Sequence, residues 1–276
     1  MKIKYLGTAA AEGIPALFCH CDICNHARLH KGKEIRTRCQ AMIDDAIMLD
    51  FGPDNYMHLL TNDLDITELE YCLITHSHDD HFSAEQFYYR NPGYAVLKEG
   101  TKPLTVYGNA EVGKMLMEGE SSIANSKNVK FQQIEPFCPQ MLGDYEVTAF
   151  PAVHGSDRPL FYSIRKGEKT ILYAHDTDIF KEDVWEYFEK ERMYFDLISM
   201  DCTEGLKKMN YSGHMNFEKN LLLKEMMIEK KLADEKTVFV ANHFSHNGHV
   251  SYEEAERYGN DHGIVISYDR MEIELD

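Results

Sequence analysis

The segment Tyr71-Cys72-Leu73-Ile74-Thr75-His76-Ser77-His78-Asp79-Asp80-His81 joins two unlike patterns. Its first five residues are apolar or β-branched, the make-up of a short buried strand. The next six hold three imidazoles with Asp80 among them. A solvated turn rarely draws three histidines, and a core does not accept so many polar atoms without partners. That density of nitrogen and oxygen donors suits Zn²⁺ or a similar divalent ion. His76 and His78 lie two apart and point the same way in extended chain. Asp80 and His81 follow in a turn, where neighbours diverge, and so face a second ion. One loop thus offers two ligands to each of two adjacent metals.

Two metals need further ligands, and other strand-like runs end beside candidates. His154 follows Tyr145–Phe150, Asp176 follows Thr170–Ala174 and His243 follows Thr237–Ala241. Strands aligned in a sheet would bring all three to one edge. The remaining short apolar runs are Lys2–Leu6, Ala41–Leu49, Leu104–Tyr107, Leu197–Met200 and Ile264–Ser267. Helical spacing appears at Phe180–Arg192, with Asp178 as its expected N-cap, and at Asn216–Leu232. Ser251–Tyr258 opens with Ser251 and Glu254, the spacing of a capping box. Strands dominate early and alternate with helices later, which predicts a layered α+β architecture in one domain over residues 1–276. The polar stretch Tyr88–Lys102 reads as a long connection and an expected lid or binding loop.

With those residues in view, the chain resembles the metallo-β-lactamase fold superfamily of hydrolases. His-x-His-x-Asp-His followed by separated His, Asp and His is that family's pattern, and the resemblance implies a four-layer αββα sandwich with a dinuclear metal centre. By position, His76, His78 and His154 would hold one ion. Asp80, His81 and His243 would hold the other, with Asp176 bridging. Met48-Leu49-Asp50-Phe51-Gly52 resembles the family's strand-end Asp-x-Gly, which makes Asp50 the residue that orients the His-rich loop.

Cys19-His20-Cys21-Asp22-Ile23-Cys24 places three thiols in six residues. Small buried thiols would not have His and Asp between them. Cys21-x-x-Cys24 has the form of a redox pair, but the third thiol favours a Cys₃His zinc site needing one more ligand. His246 is the choice for that ligand, with His20, His26 and His249 as alternatives. Gly7-Thr8-Ala9, the cysteine cluster and Asn242-His243-Phe244-Ser245-His246 together resemble the PhnP-like branch, phosphodiesterases associated with carbon–phosphorus lyase pathways. In that branch the cysteines and a late His form a structural zinc site. The same cluster resembles the start of the pyrroloquinoline-quinone biosynthesis protein B, a group in which the catalytic motif is degraded. Here His76–His81 is complete.

The resemblance implies two divalent ions, Zn or Mn with Fe as a further option, and one structural zinc. A water bridging such ions ionises near neutral pH and serves as nucleophile. The ions, Asp80, Asp176 and the hydroxide together leave a local positive charge suited to a phosphodiester, and Asp80 is counted with the catalytic residues. His214, in Tyr211-Ser212-Gly213-His214, is the expected proton donor to the leaving group, since branch members carry a non-ligand His there. Arg158 and Ser156 are candidates to contact a substrate phosphate. The expected substrate is a small or cyclic phosphodiester of ribose or nucleotide type. Rival readings are a lactonase or thioesterase, a transfer-RNA 3′-processing nuclease, and a metal-binding cofactor-pathway protein without turnover.

Composition narrows these readings. The 276 residues carry 29 Lys and Arg against 46 Asp and Glu, a net charge of −17. Affinity for nucleic acid rests largely on cationic side chains at phosphates, so that balance argues against nucleic acid as a partner. No run of about 18 apolar residues is present, which excludes a membrane-spanning helix. The start of the chain has no apolar signal core, and seven cysteines is an odd number for a disulfide framework, so a cytoplasmic protein with reduced thiols is expected. A homodimer is expected from the family. Among the remaining residues, His175 reads as packed or solvated, His30, His58 and His262 as surface histidines, and Asp201 as a strand-end cap, with support of a ligand as its alternative. Trp185 reads as core, and Cys39, Cys72, Cys138 and Cys202 as small buried residues.

Overall fold

Alternation of side chains along the strands determines the layers. In Lys2–Gly7 (β1), Gln40–Ile43 (β2), Ile47–Leu49 (β3) and Tyr71–Leu73 (β4), residues Ile3, Tyr5, Ala41, Ile43, Ile47, Leu49 and Leu73 turn one way. Leu6, Met42, Met48 and Cys72 turn the other. This is the two-residue period of a sheet covered on both faces. The computed structural model describes residues 1–276. The chain continues through helices Asp22–His30 (α1), Asn55–Thr61 (α2) and Ala84–Tyr88 (α3), then Leu104–Gly108 (β5), Ala110–Met117 (α4) and Val129–Gln133 (β6). Next come Gln140–Leu142 (β7), Tyr145–Pro151 (β8), Leu160–Lys166 (β9), Lys169–Ala174 (β10), Glu182–Lys190 (α5) and Leu197–Asp201 (β11). Phe217–Glu229 (α6), Val238–Asn242 (β12), Tyr252–His262 (α7), Val265–Ile266 (β13) and Glu272–Glu274 (β14) complete it.

Two seven-stranded sheets result, in the orders β14-β1-β2-β3-β4-β5-β6 and β13-β12-β11-β10-β9-β8-β7. Their inner faces share one apolar core, in which Tyr5, Ile47 and Leu49 meet Val147, Ile164, Ile171 and Val240. The outer face of the first sheet is covered by Phe87 of α3 and by Val112 and Leu116 of α4. Trp185 and Phe188 of α5, Leu223 and Met227 of α6 and Ala255 of α7 cover the second. The arrangement is the expected four-layer αββα sandwich.

Strand direction positions the site. Strands β3 to β6 run parallel, as do β10 to β13. Their carboxyl ends lie at one edge of the sandwich, so Asp50, His76, Asp176, Asp201 and His243 emerge together. β8 pairs with β9 and β9 with β10, both antiparallel, so β8 runs with β10 and delivers His154 to the same edge.

Several expectations are corrected. Ala41–Leu49 is two strands, because Asp44 and Asp45 adopt φ of 49° and 55° and close a tight hairpin of the kind that needs two left-handed residues. Asp178 does not cap α5, whose N-cap is Lys181; its carboxylate instead holds the Lys219 ammonium at 2.7 Å. The stretch Tyr88–Lys102 turns away from the metal-type edge. Arg90 reaches the Ile66 carbonyl, Lys98 pairs with Glu68, and Lys102 pairs with Glu70 just before β4 begins. Its later part therefore lies by the opposite ends of the strands from His76 and is not a lid over that edge. Cys138 is exposed, whereas Cys39, Cys72 and Cys202 are buried. His58 is buried too, with Nε2 at 2.7 Å from Thr37 Oγ1 and Nδ1 at 2.6 Å from Gln40 Oε1.

Candidate metal centre

The chain leaves β4 at Leu73 and within five residues presents His76 Nε2 and His78 Nδ1 to each other at 2.9 Å. His154 Nε2 approaches the same His78 nitrogen at 3.2 Å. Beside this triad, His81 Nε2 and His243 Nε2 face each other at 3.2 Å, with Asp80 Oδ2 at 3.2 Å from His81. Asp176 lies between the groups, its Oδ2 at 3.5 Å from His76 Nε2, 2.7 Å from His81 Nε2 and 3.4 Å from His243 Nε2. The sequence therefore named seven residues that the fold brings to one place, whereas Asp79 between them is exposed.

The donor set fits divalent ions. Five histidine nitrogens crowd together at this edge beside two carboxylates, an arrangement that a cation sharing their lone pairs would stabilise. A tetrahedron with metal–nitrogen arms of about 2.0–2.1 Å has edges of about 3.3 Å, and the histidine nitrogens stand 2.9 to 3.2 Å apart. Three of their outward nitrogens are fixed by neighbours. His154 Nδ1 donates to the Gly213 carbonyl at 3.1 Å, His81 Nδ1 meets Asp50 Oδ2 at 2.8 Å, and His243 Nδ1 meets Thr203 Oγ1 at 2.8 Å. Such bonds leave the inward lone pair free for a metal. Asp50 has φ of 63°, and its Oδ1 accepts from the Thr75 backbone at 2.8 Å, so one carboxylate ties the end of β3 to both the start of the loop and its last histidine.

Protonation follows from these surroundings. Burial holds His76 and His154 in the neutral form, pushing both below the ordinary histidine value. For His81 burial acts in the same direction, but Asp80, Asp50 and Asp176 outweigh it and raise the imidazole well above that value. The facing histidines hold Asp176 well below the usual carboxylate range although it is fully buried.

His214 belongs to neither set of inward nitrogens. Its Nδ1 stands 3.2 Å from Asp176 Oδ1 and 3.2 Å from Asp201 Oδ2, and its side chain is 21% exposed. Burial would lower its pKa, but Asp201, Asp176 and Glu204 together raise it to about 9. Asp201 is therefore more than a strand-end cap. It accepts from the Asp176, Thr203 and Met215 backbone and touches His214, which ties two strand ends and the His214 loop together. Sequence reasoning also missed Thr203, whose only signal is its place just past a buried strand. No hydrogen bond joins the Arg158 or Ser156 side chain to the cluster. Asn109 Nδ2 pins their loop through the Asp157 and Arg158 carbonyls at 2.9 and 3.0 Å, and Arg158 lines a separate small cleft with Lys181.

A second group lies close by in the chain. Cys19 Sγ and Cys21 Sγ stand 3.6 and 3.5 Å from His246 Nδ1, and with Cys24 Sγ all four donor atoms fall within 4.8 Å of one another. Arms of about 2.3 Å to sulfur and 2.0–2.1 Å to nitrogen predict an edge near 3.6 Å, so this set fits a tetrahedral zinc. The alternatives His20 and His249 are exposed and His26 pairs with Glu34 at 3.3 Å.

Comparison with known proteins agrees with this geometry. Residues 46–255 match the family model described as "Beta-lactamase superfamily domain", and the chain belongs to that metal-dependent hydrolase family. A ribonuclease Z from Methanococcus maripaludis is 31% identical over 180 residues, 61% of this chain and 50% of that protein. The chain thus matches only half the length of that curated relative. Among solved structures, zinc-bound PqqB from Methylobacterium extorquens superposes with a TM-score of 0.75 at 18% identity, covering 100% of both chains. A diphosphatase of the PhnP family superposes at 0.74 and 18% identity, covering 100% of this chain and 98% of the other. At such identities these two structures speak for the fold.

Proposed function

We propose that the chain is a metal-dependent phosphodiesterase acting on small or cyclic phosphodiesters. The observation that carries this reading is His214: a partly exposed imidazole, held by Asp201 beside Asp176 but outside both inward-facing sets, at about 9 in pKa. Such a group can deliver a proton to a departing alkoxide, the step a phosphodiester leaving group requires. The names ribonuclease Z and diphosphatase, carried by a relative and a fold neighbour, support phosphorus as the reacting centre.

In this reading His76, His78 and His154 hold one divalent ion, and Asp80, His81 and His243 the other, with Asp176 shared. Two such ions would supply Lewis acidity toward a phosphoryl oxygen and a water ionised near neutral pH. The chain's own part is to fix the donors. Asp50 orients His81, Thr203 orients His243, and the Gly213 carbonyl orients His154. Asp201 then keeps a proton on His214, which faces the same space as Asp176 Oδ1. Cys19, Cys21, Cys24 and His246 hold a structural zinc.

A net charge of −17 fits a small-molecule substrate rather than a nucleic acid. The test is hydrolysis of a chromogenic phosphodiester with added Zn²⁺ or Mn²⁺, run beside a lactone and with His214→Ala. Diester turnover that chelation abolishes and His214→Ala lowers by about 10²–10⁴-fold supports the reading. Lactone turnover alone moves the assignment to acyl hydrolysis, and metal uptake without either turnover moves it to a non-catalytic role.

A further inference from the structure

Behind the metal-type cluster, a group of polar side chains is buried where the two sheets would otherwise meet through apolar contacts. Tyr5, Cys39, Tyr173, His175, Ser199, Asn242 and Ser267 are all 1% exposed or less. His175 is at the centre. Its Nε2 lies 2.7 Å from Ser199 Oγ, which accepts from the Tyr5 hydroxyl at 2.9 Å. Its Nδ1 lies 3.2 Å from Cys39 Sγ, and Asn242 Nδ2 donates to that same sulfur at 3.3 Å. Asn242 Oδ1 accepts from the Ser267 hydroxyl at 2.6 Å. With one ring proton the circuit closes: Ser199 donates to Nε2 and the Nδ1 proton points at the thiol.

None of these groups reaches the inward-facing donors, and none is used in the proposed chemistry. Burying them costs free energy that apolar residues would not. Their positions in the chain supply the reason. His175 immediately precedes Asp176, and Asn242 immediately precedes His243. Both following residues adopt left-handed backbone, with φ of 47° and 62°, a conformation that costs roughly 1–3 kcal/mol for such side chains and persists only where the surroundings impose it. Asp201 holds the Asp176 backbone N–H and Thr203 holds the His243 ring, and the buried polar group fixes the residue just before each.

We propose that His175 is a positioning residue which, with Cys39 and Asn242, clamps the ends of β10 and β12 so that Asp176 and His243 are set before an ion arrives. Cys39, next to β2, ties the same two ends to the first sheet. The strain at Asp176 and His243 is thus held by hydrogen bonds one residue back in the chain, across the sandwich from the strands that carry His76 and His81. This rests on the reading that Asp176 and His243 are metal ligands.

The test is Zn²⁺ titration of metal-free protein against a chromogenic chelator, for the wild type, His175→Leu and His175→Gln, with thermal unfolding of the same metal-free samples. The expected result is that His175→Leu takes up one ion fewer than wild type at limiting free Zn²⁺, because affinity for the ion beside His243 falls about 10- to 100-fold. His175→Gln, which retains a donor and an acceptor, should recover most of the loss. A purely structural role would lower the unfolding temperature and leave the affinities unchanged, and that result overturns the proposal, as does a Gln variant no better than Leu. If His175→Leu does not fold, Cys39→Ala replaces it, with the same expectation of weakened uptake and the same overturning result. Wild-type protein that binds Zn²⁺ only at its cysteines would refute the metal-centre reading itself, a separate outcome.

Discussion

His58 shows what burial does to an ionisable side chain. It hydrogen-bonds to Thr37 and Gln40 as a neutral ring, and burial pushes its pKa down to about 4 from an ordinary 6.5. Between those values the unfolded chain binds a proton that the folded chain refuses. The stability present above pH 6.5 is therefore lost as pH falls toward 4, by about 3 kcal/mol. His58→Gln, which can keep both hydrogen bonds, should flatten the fall in urea midpoint between pH 7 and 5; an unaltered slope would show that other groups carry it. Asp201 works in the opposite direction. Its charge raises His214, so Asp201→Asn should move the alkaline limb of the activity profile to lower pH. The same change turns an amide donor toward the Asp176, Thr203 or Met215 N–H groups and should cost about 1–3 kcal/mol of stability. An unmoved alkaline limb would remove Asp201 from control of His214.

Single elements matter where one backbone passes close to another. Gly52 follows the Asp50 turn, and a Cβ there would lie 2.1 Å from the Asp80 carbonyl oxygen. Gly52→Ala must push the His-rich loop away from β3, so it should weaken uptake of the ion beside Asp80 and His81 together with stability. Titration of metal-free protein reads the first and thermal unfolding the second; retained affinity would mean that the loop absorbs the shift. Element type was legible wherever local chemistry was strong. Ser251 caps α7, and its capping box with Glu254 forms as spelled. Asn216 caps α6 through its side chain. By contrast α1, α2, α3 and α4 and strands β6, β7, β9 and β14 gave no clear signal. β14 shows why, since Glu272 and Glu274 are exposed and the strand exists only because it pairs with β1. Asp178 was misread because a cap and an ion-pair partner look alike in sequence, and only Lys219 on α6 decides between them.

At the scale of the whole molecule, stability and metal uptake are one equilibrium. Ions bound to the folded chain but not the unfolded one stabilise it by mass action, about 2.7 kcal/mol at a hundredfold excess over the dissociation constant. Chelation should accordingly lower the unfolding temperature in two parts. One part should disappear when Cys24→Ser disables the cysteine set, and the other should persist, because the two groups use different residues. A single unaltered shift in that variant would show that the cysteines hold no ion. His246 and His243, the proposed ligands of the two groups, share one short segment after β12, so the two groups are mechanically close although they use different residues.

The sequence by itself pointed to the proposed ligands, the loop that carries four of them and the strand ends that carry the rest, because metal chemistry demands particular side chains and sheets deliver them at strand ends. The grouping of Cys19, Cys21, Cys24 and His246 was legible for the same reason. Asp50, which holds His81 and the Thr75 backbone, was legible too, but the tertiary structure decided the other supports. Asp201 at His214, Thr203 at His243 and the circuit of Cys39, His175 and Asn242 join residues far apart in the chain. Each is an ordinary residue in an ordinary stretch; the first two pairs form when the strand ends and loops of the second sheet assemble, and the Cys39 contacts form only once the two sheets have packed.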